Sequence, residues 1–180
     1  MRFNRQPPMP FILRFWFVLT VACLTACTAA SGPPPPAAAD LKVVTLDDSV
    51  KIVAGQTLYV PVYAYIYTGE QNRTWDLTAT LSVRNTDQTH PIIIRSVDYF
   101  AGNGTLVRNY LEQPVELNPL AATEFVVAQA DRSGGVGASF VVEWVAQTTV
   151  SAPVVEAVMI NTLGNQGLSF VSPGRVIKNR

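Results

Sequence analysis

The sequence predicts an all-β fold, an antiparallel immunoglobulin-like β-sandwich, with a closed β-barrel as the alternative. Three observations carry this expectation. From Leu41 onward, short runs of β-branched and aromatic residues are broken by turn residues at short intervals. Several runs alternate apolar and polar side chains with a period of two, as half-buried strands do. No stretch repeats its apolar residues at the 3.6-residue period of a helix.

The elements follow in order. Residues 41–46 predict a first strand, closed by Asp47 and Asp48. The longest run, 57–67, alternates Leu58, Val60, Val62, Ala64 and Ile66 with Tyr59, Pro61, Tyr63, Tyr65 and Tyr67. Pro61 has no amide proton for a ladder, so it predicts an edge position or a bulge. Residues 77–85 place Leu77, Ala79, Leu81 and Val83 on one face and polar residues on the other. Residues 92–100 return from a turn, and Asn103-Gly104 suits a tight hairpin leading into 105–111. After a turn at Asn118-Pro119 come 123–128, a glycine loop, and 139–146, which is apolar on both parities as a central strand would be. Residues 154–160, 168–171 and 175–177 complete a set of about nine strands, the number a sandwich of this kind uses.

The front of the chain has a different job. Arg2, Arg5 and Arg14 flank an apolar stretch from Phe15 to Ala22, and Leu24-Thr25-Ala26-Cys27 forms a lipobox. The expected organisation is a lipoprotein signal peptide at 1–26, a lipidated Cys27 with a Pro/Ala-rich tether at 27–40, and the β-domain at 41–180. A transmembrane anchor fits less well, because the uncharged run after Arg14 falls short of the ~20 apolar residues that span a bilayer. The thiol of Cys27 is the one side chain that can form a thioether to diacylglycerol, and together with an amide-linked acyl chain it holds a membrane stably. Export and membrane anchoring by lipid are therefore expected. In a cell with two membranes, Thr28 in place of Asp after the cysteine resembles lipoproteins that are sorted outward, a resemblance that implies the outer membrane or periplasmic face. Pro33 to Pro36 stiffen the tether as polyproline II, at about 3.1 Å per residue.

Composition excludes several functions. Of 13 basic residues, three belong to the leader, and the remaining 10 face 13 acidic ones, a net charge of −3. Such a domain has no electrostatic basis for binding nucleic acid. Cleavage before Cys27 removes Cys23, so the mature chain has a single, lipidated cysteine and no internal disulfide. His90 is the only histidine, which excludes zinc sites built from His and Cys. No serine sits in a nucleophile elbow beside it. Asp47 and Asp48 fall short of a calcium sphere.

Four segments together resemble a known family: Leu58 to Tyr63, Leu81 to Asp87, Ser96 to Tyr99, and Gly134 to Phe140. They are similar to the bacterial domain-of-unknown-function family numbered 3124, over nearly everything from Gly55 to Ile177. The resemblance implies a small exported protein, often lipidated, and supplies no catalytic residue, metal or cofactor.

Three candidate sites remain. The tyrosines Tyr59, Tyr63, Tyr65 and Tyr67 are expected to share one strand face, where each offers a flat apolar body and a polar tip for a protein or glycan partner. Ser133, Gly134, Gly135 and Gly137 form a glycine-rich segment without the Lys and Ser/Thr of a P-loop. It predicts a mobile hairpin or bulge, with a binding loop as the functional alternative. Asp98, Glu143 and Glu156 lie in strands and would supply the carboxylate pair of a glycan hydrolase. The leading expectation is a non-enzymatic binding or assembly module of the cell envelope, with the hydrolase second.

Overall fold

Among the described residues the chain forms thirteen strands and no helix. The structure is a computed structural model that describes residues 41–180 except Asp48 and Asn165. The expected signal peptide, the expected lipidation at Cys27 and the expected tether fall outside the described residues.

The larger sheet has seven strands. Its path runs from β1 (Lys42–Val43) through β8 (Val115–Leu117), β6 (Ile92–Phe100), β10 (Ser139–Ala146) and β2 (Ala54–Pro61) to β13 (Arg175–Asn179). The short β7 (Leu106–Asn109) pairs with the far half of β6. The second sheet has four strands in the order β12 (Leu168–Pro173), β11 (Val154–Asn161), β5 (Thr78–Arg84) and β9 (Ala122–Val127). Every pairing is antiparallel. The two sheets bury one shared core, and neither closes into a barrel. The fold is an antiparallel β-sandwich.

Alternation builds that core. Leu58 and Val60 of β2, Phe140 and Val142 of β10, Ala79, Leu81 and Val83 of β5, and Val155, Ala157 and Met159 of β11 are all buried. In β6 the parity changes midway. Ile92 and Ile94 join the core before a bulge, and Val97 and Tyr99 join it after. The ladder to β10 skips Arg95, and the extra residue lets even and odd positions of one strand face the same way.

The longest expected strand is broken. β2 ends at Pro61, and the next pairing belongs to a separate two-stranded sheet of β3 (Tyr65–Thr68) and β4 (Glu70–Asp76). Alternating burial nevertheless continues through Val62 and Ala64, at 1 % exposure each. The break has a hydrogen-bonding cause: Val62 N–H donates to Ala138 O and Ala64 N–H to Gly135 O, both at 2.9 Å. These bonds hold the chain to the glycine loop instead of to a ladder. Val62 N–H points to the β10 side, so the nitrogen of Pro61 faces the other side, where β13 has already ended at the level of Tyr59. Pro61 thus sits at a local edge, as its missing donor requires.

β12 and β13 are one descending run that changes sheets at Gly174. Gly174 N–H donates to Val155 O at 2.8 Å, and a Cβ there would lie 2.8 Å from the same oxygen. Only glycine permits this crossing. β4 and β8 have no counterpart in the sequence expectation, and the first strand shrinks from 41–46 to Lys42–Val43.

Candidate functional site

The sandwich has two unlike ends. At one end lie Leu41, where the described chain begins, the 85–91 turn and the 147–153 loop. At the other lie the 101–105 hairpin, the 128–138 loop, the β3–β4 hairpin and the 162–167 loop.

The first end is locked. Asn85, only 2 % exposed, donates from Nδ2 to the carbonyls of His90, Leu117 and Asn118 at 2.9, 3.2 and 3.1 Å. Its Oδ1 accepts Asp87 N–H at 3.0 Å. Asp87 accepts N–H groups from Thr89 and His90 on one oxygen and Ser151 on the other, which joins two loops. The backbone donors of Thr89, Ser151 and His90 hold its carboxyl well below the usual carboxylate range. His90 belongs to this turn, with Nδ1 2.8 Å from Thr89 Oγ1, and it is a structural residue.

The four tyrosines do not form one face. Tyr59 stands on the outer surface of the larger sheet, whereas Tyr63 lies in the connector and packs edge-on against Phe170 of β12, centroids 5.8 Å apart. Tyr65 and Tyr67 belong to β3, with Arg132 stacked 4.2 Å above the Tyr65 ring. The expectation fails because the backbone leaves the sheet at Pro61 and carries the later tyrosines with it.

The glycine loop rests against the 101–105 hairpin and over Tyr99. Gly134 O accepts Gly102 N–H at 3.0 Å, and Gly135 takes a φ of +71°. A Cβ on Gly134 would lie 1.9 Å from the hydroxyl of Tyr99, which is fully buried. Burial, with help from the Asp131 charge, pushes that phenol up to about 12. Ser133 caps the loop by donating to Asp131 Oδ1 from its N–H at 3.1 Å, and Arg108 reaches Asp131 Oδ2 at 2.9 Å. These contacts hold the Asp131 carboxyl below its ordinary value.

Parts of two sequence candidates do meet. Tyr59 and Gly137 line a hollow of about 280 Å³ at the end opposite Leu41, together with Phe100, Gly102 and Gly104. A Cβ on Gly102 would come within 3.2 Å of Gly137 Cα, so the floor is backbone laid on backbone. Aromatic walls over such a floor suit a flat group that must approach the main chain closely.

A second, larger groove of about 480 Å³ opens between β4 and the ends of β9 and β11. Its walls include Trp75, Leu163, Gln129 and Asn161, none of which stood out in the sequence. Gln129 Nε2 and Asn161 Nδ2 both donate to Asp76 O, at 3.1 and 2.7 Å. Arg132 pairs with the Asp76 carboxylate and donates to Thr74 Oγ1 at 3.2 Å. An isolated, half-exposed tryptophan beside an acidic residue is the one local signal that could have marked it.

Of the three carboxylates, only Asp98 and Glu143 come near one another, and they do so outside both hollows. Asp98 and Glu143 lie on the outer face of the larger sheet, and Glu156 lies on the outer face of the other. Asp98 accepts the Asn109 amide, Glu143 accepts Arg95 at 3.0 Å and also Arg180, and Glu156 is 3.8 Å from Arg84. None of the three lines either hollow.

No curated protein and no solved structure matches the chain. The family profile described as protein of unknown function (DUF3124) matches residues 55–177, from the start of β2 into β13. That span takes in both hollows and most of the core, and the chain belongs to this family.

Proposed function

We propose that this is a lipid-anchored protein of the cell envelope whose sandwich is a non-enzymatic binding or assembly module. The lipobox at Cys27 and the stiff run Pro33 to Pro36 support export and tethering. The observation that carries the binding role is the hollow of Tyr59, Phe100 and the paired glycines, set at the end opposite the tether's point of entry at Leu41. A domain held by that entry point offers its other end to a partner, which is the useful arrangement for capture at a membrane surface. A photo-crosslinking residue in place of Tyr59, in cells, tests it. Discrete adducts from that position and none from Ser82, on the opposite sheet, support the reading; equal labelling at both sinks it.

A carboxylate-based hydrolase acting on envelope glycans is the second reading. Asp98 opposes Val141, so Glu143 two residues on is its diagonal neighbour, at about 7–8 Å between backbones in a regular ladder. Incubating the protein with purified cell-wall glycan and assaying for new reducing ends separates the two. Release that disappears in Asp98→Asn and Glu143→Gln favours the hydrolase.

A further inference from the structure

The groove at Trp75 differs from the hollow in what its walls can recognise. Its carboxylate is neutralised, since Asp76 is ion-paired to Arg132, whose guanidinium also binds Thr74 and covers Tyr65. The remaining walls are an indole, an exposed leucine, an alanine, a threonine hydroxyl and two carboxamides. A lining without free charge offers nothing to a phosphate, a nucleotide or a metal cation.

The polar walls are held in place before any ligand arrives. Asn161, 7 % exposed, donates to Asp76 O and accepts Leu163 N–H at 3.0 Å, which fixes the leucine at the rim. Among the described residues, the Gln129 side chain uses only its Nε2, so its carbonyl oxygen is available as an acceptor. The volume, about 480 Å³, falls within the usual range of about 300–1,000 Å³ for small-ligand sites. Leu163 is 70 % exposed, so the site is open along its length.

We infer that this groove binds a short uncharged oligosaccharide, with the apolar face of a sugar ring against Trp75 and Leu163 and its hydroxyls on Gln129 and Thr74. A sugar ring presents both surfaces at once, an apolar C–H face and a rim of hydroxyl donors and acceptors. An extended peptide fits less well. It would have to pair along the free edge of β4, where Asp76 O is already taken by Gln129 and Asn161. The inference rests on the reading of the protein as a binding module but not on the hollow at Tyr59, so an unused hollow leaves it standing.

The test uses the full-length chain in a phosphocholine detergent, with cellotriose, chitotriose and maltotriose as probes. Binding is followed by tryptophan emission and by saturation-transfer NMR on the sugar. At least one trisaccharide should bind saturably at millimolar concentration. Leu163→Ala and Trp75→Ala should each weaken it about tenfold or more, while Ser82→Ala on the opposite sheet should not. Leu163 is a rim residue, so its variant should keep the parent melting temperature and remains informative even where Trp75→Ala unfolds. Absence of saturable binding by all three sugars overturns the inference, as does binding that Leu163→Ala leaves intact. Saturable binding of a random heptapeptide pool that is lost in Leu163→Ala, with no sugar bound, reassigns the groove to peptides and overturns it equally.

Discussion

Replacing Asn85 by Asp changes one amide nitrogen to oxygen, leaves the shape intact, and should destabilise the domain severely. In the parent, two amide protons serve three carbonyl oxygens within 3.2 Å, in a site only 2 % exposed. The carboxylate has no proton to offer and turns a negative oxygen toward those carbonyls. Losing two amide donors and turning a carboxylate oxygen toward these carbonyls costs about 1–3 kcal/mol for each lost bond, roughly 4 kcal/mol together. Against a total domain stability of about 5–15 kcal/mol this is a large fraction. It corresponds to a melting temperature roughly 15 °C lower for a domain of this size. Urea titration at neutral pH measures it, with Asn118→Asp as the exposed control, expected within about 0.5 kcal/mol of the parent. The sign with pH is fixed as well. Burial among carbonyls raises the folded pKa of the introduced carboxyl above its unfolded value, so the deficit is smallest below the unfolded pKa and grows as pH rises through the folded one. A variant within 1 kcal/mol of the parent at neutral pH, or a deficit that does not shrink in acid, would refute the assignment of Asn85 as the donor that closes this end.

Three other outcomes are expected. Gly134→Ala forces a methyl into the Tyr99 hydroxyl and should cost about 3 kcal/mol by urea titration; Gly135→Ala, strained only by its φ of +71°, should cost about 1–2 kcal/mol. The carboxyls of Asp47, Asp87 and Asp131 are all depressed in the fold, so their stabilisation is complete above the ordinary value of 3.8 and is lost as pH falls further. Asp87→Asn should therefore flatten the acid limb of a stability–pH curve while lowering stability at neutral pH. Cys27→Ala should release the protein from the membrane fraction and abolish palmitate labelling, and retained label would reject lipidation there.

What was legible in the sequence was whatever depends on neighbours one and two residues away. The alternation of Leu77, Ala79, Leu81 and Val83 named the inner face of β5 correctly, and the two-parity apolar run of 139–146 named the central strand β10. Burial through Leu58, Val60, Val62 and Ala64 was also right residue by residue. The single strand drawn through them was wrong, because alternation records which side is buried and not which partner accepts the hydrogen bond. Val62 and Ala64 bond to a loop more than 70 positions away, and no local pattern announces that. The bulge at Arg95 was hidden for a related reason: Ile92, Ile93 and Ile94 are all apolar, so the change of parity leaves no mark in the hydropathy.

The candidate sites were harder to read because each is made by an encounter between distant segments. Tyr59 and Gly137 were singled out separately, but their shared hollow exists because β2 and β10 are neighbours and the 101–105 hairpin rests on the glycine loop. The groove depends on Gln129 and Asn161, from segments far apart in the chain, meeting over the carbonyl of Asp76 beside Trp75. The glycines explain the division of labour between the two ends. At the Asn85 end, one amide ties three carbonyls together and Asp87 joins two loops, beside a hollow of about 320 Å³ lined by Pro91, Ile93, Glu116, Gln147 and Thr148. At the opposite end, Gly102 and Gly137 bring main chain against main chain in a hollow also lined by Tyr59, Phe100, Ser139 and Val141. Backbone-on-backbone packing there leaves fewer side chains to be ordered when a ligand binds.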